Sequence, residues 1–240
     1  MTTVTLSLFR FGSLSGRLWV LGQMAVARRD MARMSEAQFW RLCGSGTGEG
    51  FTPKPNWSVW AILVAWPDLD TARDRVVNAP VFRRWRGRAT EDSTIYLSPA
   101  SVRGQWSWQQ PFAGTGTADG PLVVLTRATI RPRAALQFWN RVPDISGAIG
   151  NDPDVAFKIG IGEVPLMHQM TFPVWPDAAA MTRFTRADGP HARAIRAVRD
   201  GGWFREELFT RFRILGATGI WGGADPLARL SPNLPALDAA

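Results

Sequence analysis

The sequence predicts an α+β fold: two fused ferredoxin-like β-α-β-β-α-β units that close as a pseudo-dimeric α+β barrel. The first observation behind this is an internal repeat. The segment "ILVAWPDLDTARDRVVNAPVFRRWR" from Ile62 and the segment "MTFPVWPDAAAMTRFTRADGPHARAIR" from Met170 each run from an apolar strand through Trp-Pro-Asp into a helical pattern. Trp66 and Trp175 lie 109 residues apart, and Pro80 and Pro190 lie 110 apart. The second is an upstream echo of "GTGEGF" (46–51) in "GIGEVP" (160–165). The third is the order of elements in each unit, strand–helix–strand–strand–helix–strand. A sheet with helices on one face leaves its other face bare, and two such sheets can cover each other.

Unit one, residues 1–109, opens on the strand-like "TVTLSLFRF" and a helical segment, "LSGRLWVLGQMAVARR". The glycine-rich "CGSGTGEGF" (43–51) reads as a tight turn entering a strand, with Glu49 and its counterpart Glu163 as polar contacts. The Trp-Pro-Asp strand and helix follow, and "GQW" (104–106) ends the last strand. "QPFAGTGTADGP" (110–121) is the linker. Unit two, residues 122–224, repeats the order with "LVVLTRATI", "RAALQFWNRV", the Trp-Pro-Asp segment and "GIW" (219–221). Residues 225–240 are proline-rich and read as an irregular tail.

Composition narrows the function. Of 240 residues, 45% are hydrophobic, enough for a sizeable core. The net charge of +8 is nearly all arginine, since only Lys54 and Lys158 are lysines. It is dispersed, with no basic run of nucleic-acid type, so a basic membrane-facing or acidic-partner surface is expected rather than nucleic-acid binding. Twelve tryptophans against one tyrosine offer broad apolar area for a bulky ligand, a membrane interface or a core. The single cysteine, Cys43, excludes an intrachain disulfide framework and a Cys-ligated zinc or iron–sulfur site within one chain. No signal-peptide pattern opens the chain, and the longest apolar run, "WSVWAILVAW" (57–66), is too short to span a bilayer. A cytoplasmic protein is expected, with peripheral contact at the inner membrane and oligomerisation left open.

Both histidines fall in unit two; the matching positions in unit one are Val59 and Phe82. Strand alternation puts His168 on one face with Leu166, Met170, Phe172 and Val174. His191 follows Asp188, Gly189 and Pro190, a capped helix start whose dipole keeps an imidazole neutral and fit to bind a metal. Several readings stay open. Each histidine can be a core residue. His168, His191 and Glu163 or Asp188 can form a two-histidine, one-carboxylate iron site, and Cys43 can serve as a haem thiolate. The glycine-rich stretch has neither a Walker ending nor a dinucleotide fingerprint, and no G-x-S-x-G hydrolase elbow occurs.

"CGSGTGEGF", "AFKIGIGEVP", "RVPDIS", "VFRRWR" and "GPHARAIRAVRDGGWFREEL" resemble the spheroidene monooxygenase family, over a span from Val4 to about Gly223. The Trp-Pro-Asp, helix, "GPHA" arrangement is also similar to the wider dimeric α+β barrel group, which includes haem enzymes with a helix histidine as proximal ligand. The resemblance implies a haem enzyme that oxidises C-2 of acyclic carotenoids such as spheroidene. Two hydroxylations would give a gem-diol that loses water to a ketone, at the expense of dioxygen and reduced ferredoxin. It implies His191 as axial iron ligand with Ile195 on the same helix stripe, and His168 as the alternative ligand. His168, or an arginine such as Arg183, would assist O–O cleavage by donating a hydrogen bond, while Met170, Phe172 and Trp175 would line the substrate pocket. The stretch "LSGRLWVLGQMAVARRDMARM" (14–34) would rest on membrane, and basic patches would dock ferredoxin.

Overall fold

The repeat's Trp-Pro-Asp signature shows how each half is built. The computed structural model describes residues 1–48, 50, 52–116, 118–140, 152–186 and 201–230. Strand β3 (Pro55–Trp66) ends on Trp66, and Asp68 then caps α2 (Leu69–Asn78), its Oδ1 accepting the Thr71 amide at 2.8 Å. Strand β7 (His168–Trp175) ends on Trp175, and Asp177 Oδ1 accepts the Ala180 amide at 2.7 Å at the start of α4 (Ala178–Arg186). Both tryptophans are buried beneath the helices that follow: Trp66 meets Phe82 and Trp175 meets Phe184 in tilted ring contacts. Proline between them has no N–H to extend the ladder, so the strand stops where the cap begins.

The other strands and α-helices among the described residues are β1 (Thr3–Arg10), α1 (Leu14–Arg33), β2 (Phe39–Gly46), α3 (Pro80–Arg86), β4 (Glu91–Gly104), β5 (Leu122–Ile130), β6 (Phe157–Gly162) and β8 (Phe204–Gly219). All eight strands form one closed antiparallel barrel in the order β1-β3-β2-β6-β7-β5-β8-β4. Read by halves this is β4-β1-β3-β2 and β8-β5-β7-β6, the same ferredoxin-like order twice. The halves join where equivalent strands meet. β2 pairs with β6 through Gly44–Gly162 and Ser45–Ile161, and β4 pairs with β8 along its length. Closure leaves no free sheet edge.

Period-two alternation sorts the strands into an inner and an outer layer. Along β3, Ala61, Leu63 and Ala65 face the barrel interior, while Trp60, Ile62, Val64 and Trp66 pack under the helices. Burial on both faces explains why this strand reads as an unbroken apolar run. Leu6, Leu97, Leu125, Ile159, Phe172 and Phe212 share the interior. The segment read as a linker does join β4 to β5, yet it also contributes to the core. Phe112 is buried against Phe39, Trp106 and Phe212, with ring centroids 5.4–6.4 Å apart. The start of the expected tail packs too: Leu227 and Leu230 join the interior, and Arg229 donates to the Val155 and Pro153 carbonyls at 2.9 and 2.8 Å.

Candidate functional site

Five polar side chains from five places in the sequence converge at one end of this apolar barrel. Arg41 on β2 shares its inward face with Phe39 and Cys43, and Arg127 on β5 shares its own with Val123 and Leu125. Glu206 on β8 precedes Leu208 on the inward face. Glu163 follows β6, and His168 opens β7 on the face of Met170, Phe172 and Val174.

Glu163 is the hub. Arg41 Nε lies 2.6 Å from its Oε1, while Trp106 Nε1 donates to Oε2 at 3.0 Å. Arg127 Nη2 stands 3.6 Å from Oε2, and His168 Nδ1 stands 3.3 Å from it in a buried position outside hydrogen-bond geometry. Arg127 also binds Glu206, whose Oε1 takes the Trp108 amide at 2.7 Å. The turn that delivers Trp106 and Trp108 holds Ser107 and Trp108 at positive φ, a conformation that costs energy in non-glycine residues.

Burial alone would raise the Glu163 carboxyl. His168, Arg41, Arg127 and Trp106 outweigh it and hold the group below the ordinary carboxylate range. Glu206 follows the same pattern: burial raises it, and the Trp108 and Ser107 amides with Arg127 bring it lower. Cys43 goes the other way. Burial, then the Glu163 charge, push its thiol well above the usual value in spite of Arg41. It is a protonated core residue, ill-suited to ligate iron as a thiolate.

This network borders a cleft of about 320 Å³ at the seam where β2 meets β6. α1 supplies Leu21 and Met24, β3 supplies Trp57 and Trp60, and Trp139 joins the lining. Glycines form much of the wall; Gly50, at φ +91°, lies so close to the Gly160 carbonyl that a side chain there would collide with it. The turn from β6 to β7 completes the cleft. Leu166 sits there at φ +65°, and its carbonyl accepts the Trp139 indole N–H at 2.9 Å. The expected alternation from Leu166 onward therefore begins two residues later, at His168, because Leu166 belongs to this turn.

The predicted site residues are distributed unevenly. His168 lines the cleft, with Glu163 beside it. Met170 and Phe172 follow on the same strand face but are fully buried inside the barrel, while Trp175 lies on the opposite face beneath α4. Arg183 is on the outer side of α4, 65% exposed and paired with Asp154 at 2.7 Å, so the structure does not bring it to His168. His191, Ile195, Asp188 and Glu49 lie outside the described residues. Among the described residues no group of three His, Cys, Asp or Glu side chains gathers as a metal site. Arg41, Arg127, Glu206 and Trp106 were not anticipated. The first three carried a signal, a charge at an inward position of an otherwise apolar strand.

An eight-stranded barrel of two ferredoxin-like halves with a polar rim and an adjoining apolar cleft defines a dimeric α+β barrel protein. Solved structures agree: a crystal structure of aldoxime dehydratase matches with a TM-score of 0.63 at 9% identity, covering 98% of this chain and 88% of that one. No family model matches the sequence. Curated relatives do. Spheroidene monooxygenase of Rhodobacter capsulatus is 52% identical over 95% of this chain and 96% of its own length, and that of Cereibacter sphaeroides is 51% identical over 95% and 71%. The chain belongs to the spheroidene monooxygenase family, which makes it an oxidoreductase of the monooxygenase class.

Proposed function

We propose that the protein oxidises C-2 of spheroidene-type acyclic carotenoids to a ketone, using dioxygen, reduced ferredoxin and a haem. The observation that carries the reading is the tryptophan-walled apolar cleft ending on His168, in a chain about half identical to relatives named for spheroidene. A long polyene needs such a groove, and a single imidazole at its end is the kind of sparse polar group that orients chemistry.

Of the two histidines that would hold a haem, His168 lines the cleft; His191, the iron ligand the family resemblance implies, with Ile195 on its stripe, lies outside the described residues. A bound haem supplies the one-electron and dioxygen chemistry that side chains lack. The residues present do the rest. With Nδ1 3.3 Å from Glu163 Oε2, His168 would present its other ring nitrogen, Nε2, to the cleft. Arg41, Arg127 and Trp106 keep Glu163 ionised and fixed, so the ring orientation is set before substrate enters. The tryptophans and leucines exclude water from the allylic C-2 position. Each hydroxylation uses one dioxygen, two electrons and two protons, places one oxygen in a C–H bond and releases the other as water. A second turn at the same carbon gives the gem-diol, which loses water.

Glu163 behind His168 Nδ1 favours a second reading, in which His168 is the iron ligand and His191 the helper. Absorption spectra of haem-supplemented wild type, His191→Ala and His168→Ala separate the two. Loss of the Soret band only in His191→Ala supports the first assignment, and loss only in His168→Ala reverses it. No haem binding, with iron found by metal analysis, would move the chemistry to a non-haem centre.

A further inference from the structure

Half of the exposed large apolar side chains among the described residues gather in one place. Leu21, Trp57, Val164 and Leu166 all stand at the mouth of the cleft, with Trp57 52% exposed. Leu14 and Leu18 continue the row down α1 at 71% and 62% exposure. Residues 14, 18, 21 and 25 fall on one stripe of a helix with 3.6 residues per turn. The opposite stripe, Gly16, Val20, Ala27 and Met31, is buried on the sheet. A helix covering a sheet ordinarily turns polar residues outward; α1 is apolar on both sides.

Among the described residues, the charge beside this patch is mostly basic. Past Ala25 the stripe runs onto exposed Arg28 and Arg29, and Lys54 lies on the cleft rim. The single acid of α1, Asp30, is bonded to Arg84. Glu163, the carboxylate of the described cleft lining, is bound by Arg41.

We propose that the outward stripe of α1 and the Trp57 rim dock on an anionic lipid bilayer, so that the cleft mouth opens directly to the acyl chains. The choice of bilayer over a protein partner rests on the proposed carotenoid substrate, which is dissolved among those chains. Leucines would enter the interface, Trp57 would sit at headgroup level, and Arg28, Arg29 and Lys54 would meet the phosphates. No helix among the described residues is long and apolar enough to cross a membrane.

Flotation with phosphatidylcholine vesicles, with and without phosphatidylglycerol, tests this without reference to turnover. The protein should float with the anionic vesicles, and Leu14→Ser/Leu18→Ser should weaken binding by roughly tenfold or more. That double variant should keep wild-type turnover of detergent-dispersed carotenoid. A polarity-sensitive thiol probe on Leu18→Cys should shift to the blue on those vesicles, since native Cys43 is buried. Absence of flotation, flotation unaffected by the double variant, or burial of the Leu18 probe by self-association without lipid would overturn the docking proposal. Failure of turnover in detergent with vesicle binding intact would instead count against the carotenoid reading.

Discussion

Replacing Arg127 by methionine isolates the energetic role of the barrel-end network. The guanidinium is 1% exposed and faces both Glu206 and Glu163. Without it Glu163 keeps Arg41 at 2.6 Å, but among the described residues Glu206 keeps only the amides of Trp108, at 2.7 Å, and Ser107. Stranding one member of a buried ion pair costs about 3–5 kcal/mol. For a chain of this size that lowers Tm by about 6–20 °C. The sign with pH follows from the two carboxylates, both held below their ordinary 4.5 in the native protein. The stability they contribute is present above that value and is lost as pH falls through their lower native values. In Arg127→Met the stranded carboxylate gains from protonation, so the cost of the substitution should shrink between neutral pH and about 4.5. Adding Glu206→Gln should recover most of the loss at neutral pH. Urea denaturation followed by tryptophan fluorescence reads all of this. A loss under about 1 kcal/mol, or one that neither acid nor Glu206→Gln relieves, would refute the reasoning.

Other consequences are simpler. Under the proposed function, Glu163→Gln should lower turnover by roughly 10–100-fold with the proposed haem still bound, because the residue would position His168; haem loss in parallel with activity would contradict that role. Native Cys43 should resist a water-soluble thiol reagent at neutral pH and react only as the protein unfolds, being buried with a raised pKa. Asp177→Ala should destabilise by about 1 kcal/mol in a denaturant titration, the usual worth of an N-cap.

What the sequence made legible was local. Trp66 and Trp175, each followed by Pro and Asp, encode strand end, break and helix cap within three residues, so the repeat and hence the barrel could be read directly. His168 could be assigned a face by alternation alone. The network around it could not be assembled in the same way, because Arg41, Glu163 and Glu206 lie on or just after strands far apart in sequence. Alternation tells which side of a sheet a residue faces but not its height along the barrel. That height is fixed by register, such as Thr129 opposite both His168 and Glu206. Leu166 misled for a related reason: its apolar side chain fits the strand pattern, while its positive φ places it in the turn. Trp175 faces α4 rather than the cleft because it is an odd number of residues from Phe172.

The most direct test of the account is pigment analysis after incubating the haem-loaded protein with spheroidene, dioxygen and reduced ferredoxin. The account predicts a hydroxylated intermediate followed by the 2-keto carotenoid, with both dependent on dioxygen and on the reductant. Spheroidene returned unchanged by a protein that binds both pigment and haem would contradict it and leave a carrier in place of an enzyme.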